Sequence, residues 1–435
     1  MFQNKFQELP NKFNKNKMIN SNSNLNKSVQ QHTYSLSKDL SLNNLEDIYH
    51  NVVLKQDFYG DDYGADWDII PYQQMAHIIT SLFSPQWHLD IGCGKGLLVQ
   101  AMRKLKNNSY GIDFSEALIG LANQSIQKYL TVVTAESWLK KTSIKKVDLI
   151  TFTEVFEHLP VSTLEQNLKY LRESYNGRLL LTIPSFGLDA TFKLGIKVNN
   201  DNPEWNRDMM YNIPFKNIVL QDGLPHHGHI TLASYRWWSE FLLFHGYSRN
   251  RDLEVLCSEK FNDILTKYNW HPYILNKTPK ADELTKSIET GSSLGCGWHH
   301  YENIKGRWTD GFARLYFVES NLKANRLILN VSPPEINYIQ ECNLIITIDN
   351  LVKTNSYRFI WVQRFSSFPT EIEVRGLKTN MTINLVEIPQ EDQNDAIYSN
   401  CWRINIISPN FCPNDYGLSS DLRRLGIFID SLELL

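Results

Sequence analysis

The sequence has few of the features that mark membrane, secreted or zinc-binding proteins. Its 435 residues include six cysteines, and no two of these form a C-x-x-C pair, so neither a zinc ribbon nor a disulfide scaffold is indicated. No apolar run approaches the ~20 residues that a membrane span needs. The amino-terminal residues also lack the apolar stretch of a secretory signal. We therefore expect a soluble, cytoplasmic protein without a membrane span.

The chain also lacks a large excess of either charge, because 44 basic and 47 acidic side chains give a formal net charge of −3. This balance argues against a nucleic-acid partner, although it leaves a local basic patch open. Aromatic residues make up 12% of the chain and include 11 tryptophans, a composition found both in sugar-handling proteins and in aromatic-rich β cores. The length exceeds that of one ordinary domain and predicts two.

The hydrophobic pattern divides the chain into four segments. Residues 1–45 are rich in Asn, Lys and Ser, which predicts a disordered tail, or else an arm that binds a partner. Over 46–255, near-continuous apolar strands alternate with helices, a pattern typical of a mostly parallel sheet with helices on both faces. Over 311–435, short strands between turns predict an antiparallel β-sandwich. Residues 256–310 form a connector without a clear pattern.

A glycine-rich turn follows the first predicted strand, in the segment LDIGCGKG (89–96). Gly92 and Gly94 allow a tight turn and let a ligand approach main-chain N–H groups. Asp113 ends the next strand, where a carboxylate can accept both hydroxyls of a ribose, so the two features predict a nucleoside site. The third glycine falls one position too early for a nicotinamide dinucleotide fingerprint. Asp90, inside the first strand, suits a cationic ligand better than a pyrophosphate.

Four motifs together resemble the class I S-adenosylmethionine-dependent methyltransferases: LDIGCGKG (89–96), GIDFSEALI (111–119), TAES (134–137) and DLITFTEVFEHLP (148–160). The resemblance implies a Rossmann-like fold and S-adenosylmethionine as cofactor. It places Gly92 and Gly94 under the methionine part, Asp113 on the ribose, Phe114 beside the adenine and Glu136 near the adenine amino group. Many relatives carry an acid at the position of Thr134, so recognition of the adenine is left open.

A second polar group follows the fourth predicted strand, where Glu154, Glu157 and His158 lie within one turn, and His229 lies in a later histidine-rich segment. One interpretation is that His229 or His158 acts as the base that deprotonates an acceptor hydroxyl. The other is that all four residues hold Mg²⁺ or Mn²⁺, which would lower the pKa of that hydroxyl.

The motif E-x-x-E-H with a distant histidine is similar to the metal site of small-RNA 3′-terminal ribose methyltransferases and of quinone-biosynthesis O-methyltransferases. It also occurs in relatives without a metal, and two imidazoles are unusual ligands for Mg²⁺. These points slightly favour the metal-free base. If neither interpretation holds, the aromatic segment FYGDDYGADW (58–67) is the alternative acceptor pocket.

The segments at 295–317 and 419–434 resemble a β-rich appendage found beside glycosyltransferases and methyltransferases of surface-polysaccharide biosynthesis. The appendage would bind or position carbohydrate, although Trp298, Arg307 and Trp308 would fit a structural core equally well. The sequence thus predicts an O-methyltransferase acting on a hydroxyl of a sugar or glycan. Alternatives are an RNA 2′-hydroxyl or a small phenol as acceptor, or a non-catalytic glycan-binding protein with a vestigial methyltransferase domain. The sequence does not indicate an oligomeric state.

Overall fold

The structure is a computed structural model. It describes residues 42–55, 57–59, 64–141, 146–189, 196–198, 203–221, 224–268, 270–291, 293–295, 298–302, 306–319, 324–332, 342–350, 355–365, 371–375, 377, 382–385, 401–416 and 420–435. The predicted tail over 1–45 lies outside these residues up to position 41. Its last residues belong instead to the first helix, which begins at Leu42. None of the described helices is both long enough and apolar enough to cross a membrane.

The described α-helices are α1 (Leu42–Ile48), α2 (Ile70–Phe83), α3 (Leu97–Lys104), α4 (Glu116–Gly120), α5 (Ala135–Lys141), α6 (Val161–Ser174), α7 (Pro203–Tyr211), α8 (Tyr235–Phe244), α9 (Arg251–Tyr268) and α10 (Ser287–Thr290). The first eleven strands are β1 (Trp87–Ile91), β2 (Asn108–Asp113), β3 (Leu130–Val132), β4 (Leu149–Thr153), β5 (Arg178–Thr182), β6 (Ser185–Phe186), β7 (Leu220–Gln221), β8 (Leu224–Pro225), β9 (Ala233–Ser234), β10 (Tyr247–Arg249) and β11 (Pro272–Lys277). The remaining strands are β12 (Arg307–Trp308), β13 (Phe312–Val318), β14 (Arg326–Ser332), β15 (Cys342–Asn350), β16 (Asn355–Phe365), β17 (Glu371–Arg375), β18 (Thr382–Leu385), β19 (Cys401–Ile407) and β20 (Phe428–Leu434).

Seven strands form one sheet in the order β10-β11-β5-β4-β1-β2-β3. Strands β1 to β5 run parallel, and β11 is antiparallel both to β5 and to β10. The chain passes from β1 outward to β2 and β3, then returns to β4 on the other side of β1. In such sheets a ligand binds where the order reverses, at the carboxyl ends of the strands. The predicted Rossmann-like, mostly parallel sheet is confirmed.

Helices cover both faces of this sheet because successive strand residues point to opposite sides. On one face, Leu149 and Leu180 pack with apolar residues of α2, α3 and α9. On the other face, Ile150 and Leu179 pack with apolar residues of α6 and α8. Both faces of the sheet are therefore covered by helices, which explains why the strand sequences are continuous apolar runs.

The sheet extends beyond residue 255, where the sequence pattern ended the first unit. Strand β11 (Pro272–Lys277) pairs with β5, and β10 pairs only with β11 at the edge of the sheet. A boundary at 255 would therefore remove an internal strand and leave β10 without a partner. Helix α9 also packs on the same sheet through Cys257. We propose that the first unit, called here the α/β unit, runs to at least Lys277.

The carboxyl-terminal half forms two antiparallel sheets, β12-β20-β14-β17 and β13-β19-β15-β16-β18. Burial alternates along β13, β14 and β17, as expected for strands with one face in a core. Leu329 and Ile429 of the first sheet share one apolar cluster with Leu315 and Ile404 of the second. The predicted antiparallel β-rich region is confirmed, and the term β-sandwich refers to it below.

A buried arginine joins the β-sandwich to the α/β unit. Arg307 is fully buried, and its guanidinium binds both carboxylate oxygens of Asp252, in the first turn of α9. The remaining N–H groups donate to the main-chain oxygens of Ile288, Glu289 and His299. All five donors of this side chain therefore have acceptors, as burial of a charge requires.

Replacing Asp252 with alanine should destabilise the protein by about 3 kcal/mol, because it leaves the buried charge of Arg307 without its counter-ion. Urea denaturation followed by tryptophan fluorescence would measure this loss. A matched control is Arg326→Ala, which breaks an exposed ion pair with Glu373 (N–O distance 3.2 Å). The control should change the free energy of unfolding by less than about 1 kcal/mol. Equal effects of the two substitutions would contradict the structural role of Arg307.

Candidate active site

The glycine-rich turn between β1 and α3 has the geometry that only glycine tolerates. Gly92 and Gly94 have φ angles of 74° and 52°, in the left-handed region. A Cβ on Gly92 would lie 2.5 Å from a methyl carbon of Val155, and one on Gly94 would lie 2.7 Å from the Trp67 ring. Both positions therefore require glycine for conformation and for space.

Asp113, at the end of β2, holds this turn through its carboxylate. One oxygen accepts the N–H of Gly94 at 2.8 Å, and the other accepts the N–H of Ser115 at 2.9 Å. Burial raises the pKa of Asp113 to about 6. A carboxylate offers about four lone-pair positions, so these main-chain hydrogen bonds do not occupy all of them. The predicted ribose acceptor is thus fixed beside the predicted glycine loop.

Asp90 lies in β1 at one end of a buried chain of polar side chains. The Thr151 hydroxyl donates to Asp90 at 2.6 Å, so the Nε2 of His88, 2.9 Å from that hydroxyl oxygen, must carry a proton. The Nδ1 of His88 then accepts from the Ser109 hydroxyl at 2.8 Å. Burial lowers the pKa of His88 to about 3 and raises that of Asp90 to about 7. This row of hydrogen bonds orients the Asp90 carboxyl group, and a nearby cation would lower its pKa.

The other two predicted cofactor residues lie beside this group. The Phe114 ring is partly buried and lies 5.7 Å from the Tyr59 ring. Glu136 lies in the first turn of α5, is one-third exposed and pairs with Lys140 at 3.4 Å. Burial raises the pKa of Tyr49, and the charges of Glu136 and Asp113 raise it further. Glu136 and Asp113 therefore both lie near Tyr49.

The structure brings Glu157, His158 and His229 together, with one donor atom of each lying within 4.8 Å of the others. Glu157 and His158 lie in the turn after β4, whereas His229 lies about seventy residues later. The main-chain oxygen of Glu157 accepts the N–H groups of Ile230 at 2.7 Å and Thr231 at 2.9 Å. These two hydrogen bonds hold the histidine-rich segment against the turn.

His158 is oriented by its Nδ1 atom, which lies 3.1 Å from the Gly228 carbonyl oxygen and 2.8 Å from the Tyr59 hydroxyl. A carbonyl oxygen can only accept, so the contact with Gly228 requires the proton on Nδ1. The Nε2 atom, 3.9 Å from a Glu157 oxygen, is then left with its lone pair. Burial lowers the pKa of His158 to about 4, which keeps the ring neutral. Metal-ligating histidines commonly have this arrangement.

The Glu157 side chain is fully buried, and neither of its carboxylate oxygens has a hydrogen-bond partner among the described residues. Burial and the charge of Glu154 raise the pKa of Glu157 well above its usual range, and burial raises that of Glu154 too. Glu154 adopts a left-handed φ of 54°. It does not belong to the group of three mutually close donor residues. Carboxylates buried in this way accept either a proton or a cation.

Sequence reasoning missed the contacts that residues before α2 make with the two predicted sites. Tyr59 lies between the two predicted sites, since its ring centroid is 5.7 Å from that of Phe114 and 5.4 Å from that of His158. Trp67 covers the glycine turn at Gly94. The segment FYGDDYGADW (58–67) was predicted only as an alternative acceptor pocket, and its residues 60–63 lie outside the described part of the chain. The many aromatic and glycine residues of this segment were the sequence feature that could have indicated these contacts.

Comparison with known proteins agrees with this geometry. Residues 71–240 match a family model described as a methyltransferase domain. Over 77 residues the chain is 36% identical to the ubiquinone biosynthesis O-methyltransferase of Methylococcus capsulatus, covering 17% of this chain and 32% of that protein. Over 80 residues it is 38% identical to the same enzyme of Glaesserella parasuis, covering 17% and 34%. The chain thus spans about a third of the length of these relatives.

Two known structures overlap with part of the chain. The plantazolicin methyltransferase BpumL is 17% identical, with a TM-score of 0.34 and coverage of 54% of this chain and 98% of that chain. A SAM-dependent methyltransferase from Archaeoglobus fulgidus is 14% identical, with a TM-score of 0.31 and coverage of 48% and 93%. Overlap at these TM-scores is partial, and no inference about activity follows from it.

Replacing Asp113 with alanine should weaken binding of S-adenosylmethionine and of its demethylated product by about 1.5–3 kcal/mol, the scale of charge-assisted hydrogen bonds. Isothermal titration calorimetry would measure this. Asp148→Ala is a matched control, because Asp148 also accepts two main-chain N–H groups, at 2.8 Å each, but at the opposite end of β1. Binding that is unchanged in Asp113→Ala, or equally weakened in the control, would argue against the nucleoside site.

Proposed function

We propose that this protein is an O-methyltransferase that moves a methyl group from S-adenosylmethionine to a hydroxyl of a sugar or glycan. The match of residues 71–240 to a methyltransferase domain supports the methyl transfer. The group formed by Glu157, His158 and His229 carries the proposal of a hydroxyl acceptor. A hydroxyl is a poor nucleophile until its proton is removed or its pKa is lowered, and this group can serve either purpose.

The residues at the carboxyl edge fit S-adenosylmethionine. Asp90 and Asp113 are buried carboxyl groups with pKa values raised by burial, so they complement a ligand that carries positive charge. The absence of a Cβ on Gly92 and Gly94 would let the methionine part approach the main chain of the turn closely. Phe114 would contact the adenine, and Glu136 would lie at its margin. When bound, the cofactor supplies an electrophilic methyl group on a sulfonium.

For the acceptor, we propose that a divalent metal ion is favoured over a histidine base acting alone. Burial and three neighbouring histidines hold the pKa of His229 well below its usual range, which makes it a weak base at neutral pH. Glu157 has two unpartnered carboxylate oxygens, and His158 presents a free lone pair on Nε2. A donor set of one carboxylate and two imidazoles fits Mn²⁺ better than Mg²⁺. A bound ion would lower the pKa of the acceptor hydroxyl.

The chain's own residues would fix this donor set without the ion. The Gly228 carbonyl would favour the proton on Nδ1 of His158, and the Tyr59 hydroxyl lies within hydrogen-bond distance of the same nitrogen. The main-chain hydrogen bonds from Ile230 and Thr231 to Glu157 would hold the neighbouring His229 beside the Glu157–His158 turn. When ionised, Glu154 would act on Glu157 through its charge, which together with burial raises the pKa of Glu157, and a bound cation would lower that pKa again.

The charge of the site bears on the class of acceptor. Its described members are carboxyl groups and neutral imidazoles, and none of them is a cation that could bind the phosphates of RNA, whereas a neutral sugar needs no such contact. A small phenol is the second candidate, because the curated relatives matched over about 80 residues are ubiquinone biosynthesis O-methyltransferases. A sugar with vicinal hydroxyls and a catechol share the paired oxygens that a metal ion can chelate.

The acceptor class can be tested with isotope-labelled S-adenosylmethionine and three sets of acceptors: oligosaccharides with vicinal hydroxyls, catechols, and RNA with a free 3′ end. We expect methylation of an oligosaccharide hydroxyl, located by mass spectrometry, by the wild type and by Asp148→Ala. Methylation of catechol alone would assign the phenol. Transfer to RNA alone would contradict the charge argument, and binding of the cofactor without transfer to any acceptor would support a non-catalytic role.

The role of the Glu–His group is tested by metal removal. If a metal is held there, EDTA should abolish methyl transfer and Mn²⁺ should restore it, and Glu157→Gln should lose roughly 10²–10⁴-fold in turnover. If His229 acts as a base alone, activity should survive EDTA while His229→Ala loses a similar factor. His77→Ala, which removes an exposed histidine of α2, is the control. Full activity in both Glu157→Gln and His229→Ala would place the acceptor near residues 58–67 instead.

A further inference from the structure

A cavity of about 560 Å³ lies at the amino-terminal edge of the seven-stranded sheet, away from the candidate active site. It is bounded by the end of α6, the start of β5, the end of β11 and the segment 278–290, which leads into the β-sandwich. Its lining includes four cationic side chains and one carboxylate: Arg172, Lys277, Lys280, Lys286 and Glu283. Four cations and one carboxylate leave the lining with an excess of three positive charges (four minus one).

Two buried hydroxyl groups also belong to this cavity. Thr278 and Ser287 line it and are 3% and 2% exposed. Neither hydroxyl oxygen has a hydrogen-bond partner within the described part of the chain. A buried hydroxyl without a partner costs free energy, and each of these two would gain one by rotating its side chain towards a ligand in the cavity.

Two cations of the wall, Lys277 and Arg172, bond to neutral groups. The Lys277 ammonium donates to the side-chain oxygen of Asn176 at 2.7 Å, and a guanidinium nitrogen of Arg172 donates to the carbonyl oxygen of Gly246. Both of these partners are neutral, so neither cancels the charge. Burial lowers the pKa of Lys277, and the nearby charge of Arg172 lowers it further. An anion in the cavity would relieve this repulsion.

We propose that the cavity binds a small phosphorylated molecule, with its phosphate between Lys277, Arg172 and the hydroxyls of Thr278 and Ser287. Guanidinium, ammonium and hydroxyl groups are the usual donors to phosphate oxygens. A phosphate monoester carries nearly two negative charges, which suits the excess of three positive charges better than a single carboxylate does. The volume exceeds that of a phosphate group and leaves room for an organic part.

This site is separate from methyl transfer and lies at the junction of the two halves of the chain. Lys280 forms a β-bridge with Val318 of the sandwich. The main-chain oxygen of Thr290 accepts from Asn250 of the α/β unit. A ligand between Lys277 and Ser287 would therefore tie the end of β11 to α10, and binding should stabilise the junction against unfolding.

The test uses the full-length protein with inorganic phosphate and pyrophosphate as probes, at an ionic strength fixed with sodium chloride, and malonate as a carboxylate probe. Calorimetry should show saturable binding of the phosphate probes, and they should raise the melting temperature. Lys277→Gln and Lys286→Gln should each weaken binding about tenfold. Lys104→Gln, which removes an exposed lysine of α3, is the charge-matched control and should bind like the wild type.

Thr278→Val separates binding from folding. This substitution keeps the shape and removes an unpartnered hydroxyl, so the melting temperature without ligand should not fall, whereas phosphate affinity should decrease. The proposal is overturned if no phosphate probe binds saturably, if Lys104→Gln weakens binding as much as Lys277→Gln, or if malonate binds as tightly as phosphate. None of these measurements involves methyl transfer, so their outcome leaves the proposed function to its own tests.

Discussion

The constraint on which the site depends is the burial of carboxyl groups at the carboxyl edge of the sheet. Asp90, Asp113 and Glu157 are all buried, and burial raises the pKa of each. A buried carboxylate is tolerated only when a proton, a hydrogen-bond network or a cation compensates for lost hydration. The folded protein therefore retains an electrostatic cost that a positively charged ligand would reduce. Both proposed ligands, a sulfonium and a divalent ion, carry that charge.

Main-chain hydrogen bonds hold Asp113 and the Glu157 turn in place, whereas a side-chain hydroxyl, that of Thr151, binds Asp90. The Gly94 N–H binds Asp113, and the Glu157 carbonyl oxygen binds the N–H groups of Ile230 and Thr231. Because the main chain makes these contacts, both oxygens of the Glu157 side chain remain available for a ligand. Asp113 differs, since each of its oxygens already accepts one N–H. Its substitution would disturb the glycine turn as well as the ligand contact.

Features encoded by neighbouring residues could be predicted from the sequence, and those that depend on distant contacts could not. The glycine turn, Asp113 and the Glu157–His158 turn follow from local motifs at strand ends. Tyr59 could not be placed, because its contact with His158 joins residues 99 positions apart. The cofactor roles of Asp90, Gly92, Gly94, Asp113, Phe114 and Glu136, the catalytic roles of His158 and His229, and the metal site remain predictions.

The sequence pattern ended the first unit at residue 255, inside the sheet, because the last internal strand does not follow the earlier pattern. Strand β11 is antiparallel and follows the long helix α9, so the parallel strand–helix alternation that identified earlier elements does not extend to it. The motif around 295–317 had two interpretations, and its contacts fit the structural one. Trp298 donates to the Arg314 carbonyl oxygen, and Arg307 is fully buried. The resemblance of this region to polysaccharide enzymes therefore draws no support from these side chains.

The two edges of the central sheet differ in charge, so the proposed cationic ligand and the proposed phosphorylated ligand would bind at opposite edges. Acidic groups gather at the carboxyl ends of β1, β2 and β4, whereas Arg172 and Lys277 lie at the opposite edge. A cation is attracted to the first edge and an anion to the second. Because the buried strands lie between the edges, one ligand does not exclude the other. Arg307 and Asp252 hold the β-sandwich against the α/β unit beside the basic edge, so an anion bound there would act on the junction without entering the acidic site.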